Sequence, residues 1–116
     1  VNRKFRLTRS EDFKRVRRLG KSYAHPLAVL VAYPNEIDLL RIGVAAGKSV
    51  GNAVERNHAK RLLRAVLQKL IPQMTPGWDL LFLARQPMRQ ATYQQTEQAL
   101  QLLVRRAQIL QESYAG

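Results

Sequence analysis

At 116 residues and 13.3 kDa, with hydrophobic residues making up 46%, the chain has the size and apolar share of one ordinary globular domain. Twenty Lys and Arg against eight Asp and Glu leave a net charge of +12, an excess that calls for a polyanion or an acidic surface as partner. The absence of Cys excludes disulfides and thiolate metal sites, and the longest apolar run, 27–33, falls far short of the roughly 20 residues of a membrane span.

The basic start, 1–6, is not followed by a signal-peptide core, so the expectation is a soluble cytoplasmic protein without a membrane partner. Thr8 followed by Glu11 reads as a capping box, opening a helix that runs to about Leu19 and stops at Gly20. Phe13 and Val16 share one face of that helix, with Arg17 on the same side. Residues 27–33 read as a strand halted by Pro34-Asn35, 36–40 as a loop, and 41–46 as the second strand of a hairpin. Gly51-Asn52 precede a long helix ending near Ile71, with Pro72, Pro76 and Gly77 as its break. Residues 79–84 form a third strand, closed by Pro87. A last helix spans 93–114, with Leu100, Leu103, Val104, Ala107, Leu110 and Tyr114 as its core stripe. With no repeat and no Ser/Gly linker, 1–116 is a single α+β domain: helix, hairpin, helix, strand, helix.

The charge is concentrated. Residues 1–22 carry nine basic and two acidic side chains, and 48–71 carry six and one; the rest of the chain nearly cancels. Blocks so nearly of one sign point to a nucleic-acid surface. On a helical wheel of residues 53–71 with Arg56 at zero, Lys60 falls at about 40°, Arg64 at about 80°, Asn57 at about 100° and Arg61 at about 140°. Ala59, Leu62, Leu63, Val66 and Leu70 cluster between about 240° and about 340°, and His58 lies at about 200°, on the margin. One stripe is for a core and the opposite one for phosphates, with Arg as planar fork, Lys as point charge and Asn as neutral donor and acceptor. Lys48 and Asn52 sit at the helix entry, where backbone amides favour anions.

Catalysis by the polypeptide is not expected. Two-metal hydrolysis needs converging carboxylates. Of the eight acids only Glu11-Asp12 and Glu36 with Asp38 are close in sequence, the first read as a helix cap and the second as a solvated loop. His25 and His58 are far apart in sequence, where acid–base chemistry would normally want two neighbours. No catalytic residue and no metal ligand is assigned.

The stretch from Arg41 to Arg64, Arg-Ile-Gly-Val-Ala-Ala-Gly-Lys-Ser-Val-Gly-Asn-Ala-Val-Glu-Arg-Asn-His-Ala-Lys-Arg-Leu-Leu-Arg, closely resembles the signature of the bacterial ribonuclease P protein subunit. The resemblance extends over nearly the whole chain, from Glu11-Asp12-Phe13 through Asp79-Leu-Leu-Phe-Leu-Ala84 to the last helix. It implies an α+β fold of the ribosomal protein S5 domain 2-like type, about four strands in a mixed sheet with three helices, order αβββαβα, and a left-handed βαβ crossover. It implies an endoribonuclease holoenzyme in which a catalytic RNA, using Mg²⁺ held mainly by RNA, removes the 5′ leader of precursor tRNA, with one monomeric protein per RNA. By resemblance Arg56, Asn57, His58, Lys60, Arg61 and Arg64, with Lys48 and Asn52, face the catalytic RNA. Phe13, Arg17, Val29 and Val31 line a cleft for the single-stranded leader, although apolar strand positions such as the two valines also read as core. His58 stands where the family usually has a second Arg, Lys48-Ser49 where it has Lys-Lys, and Arg17 where relatives often have an aromatic. A ribosomal or RNA-assembly protein of similar fold is the competing reading; the signature helix is what separates them.

Overall fold

The computed structural model describes residues 6–7 and 9–110. Its elements are α1 (Ser10–Leu19), β1 (Lys21–Ala24), β2 (Ala28–Pro34), β3 (Leu40–Ala46), α2 (Ala53–Leu70), β4 (Trp78–Ala84) and α3 (Tyr93–Arg106), with short 3₁₀ turns at Lys48–Val50, Ile71–Gln73 and Gln86–Gln90. The order αβββαβα and the mixed four-stranded sheet agree with the expectation. The fourth strand, absent from the residue-by-residue reading, is β1.

The expected hairpin of β2 with β3 does not form. The sheet order is β1-β2-β4-β3: β4 lies between them, antiparallel to β2 and parallel to β3, so that β3, α2 and β4 make a βαβ unit. The hairpin is instead β1 with β2. Burial accounts for the arrangement. β4 is Trp-Asp-Leu-Leu-Phe-Leu-Ala and buried over nearly its whole length, a pattern that needs both sheet faces covered and a neighbour on each edge. A β2–β3 hairpin would have left it at the edge.

The two faces of the sheet carry separate cores. Leu30, Ile42, Leu80 and Phe82 pack under α2 and α3 with Leu63, Leu67, Leu100 and Leu103. On the other face α1 sets Val16 against Val31 and Leu81, joined by Leu7, with Phe13, Val29, Tyr33 and Leu83 half-buried around them. Arg6 and Leu7 run beside the outer edge of β3, where the Leu7 N–H donates to the Ile42 carbonyl at 2.8 Å.

Two helix boundaries differ from expectation. Thr8 lies outside the described residues, and the N-cap of α1 is Arg9, with no side-chain cap. α3 ends at Arg106 rather than near 114. Gln108 takes φ 59°, its N–H donates to the Arg105 carbonyl, and the Ile109 N–H donates to that of Val104, both at 3.0 Å. This is a Schellman stop with Gln in the place usually held by Gly, closed by contact of buried Ile109 with the Val104 turn. Leu110 then bridges Met74 instead of continuing a stripe, and Tyr114 lies outside the described residues.

Candidate nucleic-acid interface

α2 is a self-contained helix. The Asn52 side chain accepts from the Glu55 N–H, and the Glu55 carboxylate accepts from the Asn52 N–H, each at 2.9 Å. Gly51 makes this cap possible: its φ is 148°, and a Cβ there would fall 2.2 Å from the Glu55 carboxylate. Asn52 therefore spends its oxygen on the helix, leaving its amide N–H groups for a partner. Ala59, Leu63, Val66, Leu67 and Leu70 are buried. Leu67, at about 20° on the wheel, widens the core stripe beyond the expected limit. It reaches the roots of Arg56, Lys60 and Arg64, which are half-buried along that flank, while Asn57, His58 and Arg61 are exposed. The three flanking side chains lay their stems on apolar surface and carry their charges at the rim.

Little cancels that charge. Glu55, the one acid of α2, is committed to the cap and otherwise stands 3.8 Å from Arg89. At the far end Lys69 meets Glu97 at 2.8 Å, and that hydrogen bond and charge raise the Lys69 pKa. Arg56, Lys60, Arg61 and Arg64 have no ion-pair partner among the described residues, and the buried Nε of Arg56 has no hydrogen-bond partner there. Lys48 is exposed on the 3₁₀ turn anchored by buried Val50, just ahead of the cap.

On the opposite face, α1 and the sheet form a cleft. The Phe13 ring lies directly on Gly43 of β3, where a Cβ would sit 2.6 Å from its Cζ. Only glycine lets the ring approach so closely. Beyond it, Val29, Leu83 and Ala45 stand side by side on three strands, half-buried, and Arg17, one turn after Phe13 on α1, is exposed. Val31 is different: at 3% exposure it lies in the α1 core, so its side chain offers no surface to a ligand and only Val29 of the pair remains at the cleft.

The two surfaces meet at the β3 edge. A small cavity of about 60 Å³ is lined by Arg6, Leu7, Phe13, Ile42, Gly43, Val44 and Arg64, bringing the aromatic of α1 and a guanidinium of α2 to one place. Nothing in the charge count or the wheel foretold this, because it depends on β3 being an edge strand. Also missed were Arg85 and Arg89, in a segment that is nearly neutral by count. Arg89 reaches the start of α2 through Glu55. Arg85 lines an open concavity of about 730 Å³ with His25, Pro26, Ser49, Gln86 and Pro87. His25 is held in its turn by the Leu27 N–H, donated to Nδ1 at 3.0 Å.

An ionic cluster fixes α1. Asp79, 1% exposed, accepts two hydrogen bonds from Arg41, at 2.8 and 2.7 Å, and one from Asn35 at 3.0 Å. The paired carboxylate raises the Arg41 pKa. Arg41 also stands 3.9 Å from Asp12, the residue before Phe13, which is itself bound by Arg15. Asp12 stands in the first turn of α1, as the sequence pattern has it, and its side chain is also buried beside Arg41 of β3. Among the described residues no three His, Asp or Glu side chains come together as a metal site, and no helix is long and apolar enough to cross a membrane.

The family model described as Ribonuclease P matches residues 1–108. The ribonuclease P protein component of Herpetosiphon aurantiacus is 39% identical over 109 residues, covering 94% of this chain and 89% of that protein. The ribonuclease P protein component of Dehalococcoides mccartyi is 41% identical over 108 residues, covering 93% and 88%. Among solved structures, the Staphylococcus aureus RNase P protein matches with a TM-score of 0.82 at 30% identity, over 92% of this chain and 98% of that one.

Proposed function

Because the chain belongs to the ribonuclease P protein family, we propose that it binds the catalytic RNA through the basic side of α2 and holds the single-stranded 5′ leader of precursor tRNA in the cleft beside α1. Endonucleolytic removal of the leader is then the work of the RNA, and the protein supplies affinity and position, one copy per RNA in the cytoplasm. The observation that carries this reading is the meeting of Arg64 with Phe13 at the β3 edge. It makes one continuous surface of a helix suited to a folded RNA's phosphates and a cleft suited to a single strand. In the cleft Phe13 offers a ring face and Arg17 a guanidinium to an unstacked base or its phosphate.

The family's Mg²⁺ finds no converging set of carboxylates among the described residues. Asp12 and Asp79 are tied to arginines, Glu55 to the helix cap and Glu97 to Lys69, so no set of oxygens among these converges on a hard cation. The ion belongs with RNA phosphates.

The test is cleavage of precursor tRNA at low Mg²⁺ by the catalytic RNA with and without the protein. The expected result is a marked gain on adding protein and no cleavage by protein alone. Robust cleavage by a clean protein preparation, or no gain with the RNA, overturns the reading. Tight binding to RNA without any effect on cleavage favours a ribosomal or RNA-assembly role.

A further inference from the structure

The cleft and α2 leave part of the basic surface unexplained. On α1, with Phe13 at zero, Val16 falls at about 300° and Asp12 at about 260°, while Arg17 falls at about 40°, Lys14 at about 100° and Arg18 at about 140°. The sheet lies on the side of Val16 and Phe13, so Lys14 and Arg18 form the outward ridge of the helix. Both are exposed, as is Arg17, whereas Lys21, just past the helix end, pairs with Ala32 and so lies on the other face of the sheet. Of the two α1 acids, Asp12 is buried against Arg15 and Arg41, and only Glu11, in the first turn, shares the outer side. Lys14, Arg17 and Arg18 have no ion-pair partner among the described residues; Lys21 stands 5.6 Å from the centre of the Tyr23 ring.

A phosphate strand along the outer side of α2 cannot neutralise this ridge. The helices lie on opposite faces of the sheet, which separates their axes by roughly 20 Å, more than two Debye lengths of about 8 Å at physiological salt. The ridge is, however, continuous with the cleft. Arg17 stands between Phe13 and Lys14 around the helix, so a strand leaving the cleft over Arg17 arrives directly on Lys14 and Arg18. These are i, i+3 and i, i+4 neighbours, about 5–6 Å apart. The ridge has no aromatic side chain to stack a base, so it suits phosphates irrespective of sequence.

We propose that Lys14 and Arg18 hold the phosphate backbone of the upstream part of the leader after it has left the cleft, so that the outer face of α1 reads leader length. The inference rests on the cleft's role as the leader site. It is tested on the assembled holoenzyme with precursor tRNAs carrying leaders of about 4 and about 16 nucleotides, measuring affinity across salt for the wild type and for the double variant Lys14→Gln, Arg18→Gln. Wild type should bind the long leader more tightly than the short one. The double variant should lose that advantage, with a salt slope for the long leader lower by about 1.4, as for two single-strand phosphates. Its affinity for the short leader and for the catalytic RNA alone should not change. Equal losses for both leaders, unchanged affinity for the long leader, or weakened binding of the catalytic RNA each overturn the proposal. Phe13→Ala separates it from the reading beneath it: that variant should weaken both leaders, and if it weakens neither, the cleft assignment fails whatever the ridge does.

Discussion

α1 and α2 each set apolar side chains against the sheet and basic ones away from it, but they are held in place by different means. α2 has 18 residues, a cap made from its own Asn52 and Glu55, and five buried side chains. α1 has 10 residues and no side-chain cap, and it depends on Val16, on the Phe13–Gly43 contact and on an ionic link from Asp12 through Arg41 to Asp79. The cap and the apolar stripe of α2 are local in sequence, whereas the placement of α1 is decided by residues about 30 to 70 positions away. The surface on α2 should therefore survive changes that disturb the cleft beside α1.

The largest effect expected is from the core side of α2. Leu63→Ala should cost roughly 2–5 kcal/mol in urea unfolding, because the side chain is fully buried between helix and sheet. Next comes the link that holds α1. Arg41→Met leaves the Asp79 carboxylate buried without its cation and should cost about 2–3 kcal/mol, below the 3–5 of a fully enclosed pair because the guanidinium is partly exposed. The same variant should weaken binding of leader-bearing precursor more than binding of catalytic RNA; equal losses on both would mean that α1 and α2 are not independent. Gly43→Ala is smaller, about 1–2 kcal/mol, since its methyl must displace the Phe13 ring. It should reduce leader-dependent affinity and leave the catalytic-RNA salt slope alone.

These differences also explain what was legible in the sequence. α2 could be read almost in full, from its Gly51-Asn52 entry to its stripes, because helix period, cap and charge all lie within one stretch of about 20 residues. β2 and β4 were equally plain as apolar runs. Their pairing was not, since local pattern assigns 41–46 to the nearest preceding strand, and only the burial of β4 over nearly its whole length places it in the centre. The stop at Gln108 lacks the glycine that usually signals one. Val31 and Val29 are the same residue type two positions apart on one sheet face. Which of them α1 covers is a matter of where that helix crosses, and the Asp12–Arg41–Asp79 link that sets the crossing joins three separate elements.

The smallest effect should come from His58→Arg, which places a permanent cation on the exposed side of α2. Stability should stay within about 0.5 kcal/mol. If a phosphate lies there, the salt slope for catalytic-RNA binding should steepen by about 0.7–0.9; an unchanged slope would put His58 outside the contact.

The central claim is that the basic side of α2 holds the catalytic RNA by charge, on a helix whose fold does not depend on those charges. The direct measurement is the dependence of catalytic-RNA affinity on salt for the wild type and for the triple variant Lys60→Gln, Arg61→Gln, Arg64→Gln, alongside urea unfolding of both proteins. The slope of log K against log salt should be lower by about 2–3 in the variant, with an unfolding free energy within about 1 kcal/mol of wild type. An unchanged slope, or a loss of affinity that merely follows a loss of stability, would contradict it.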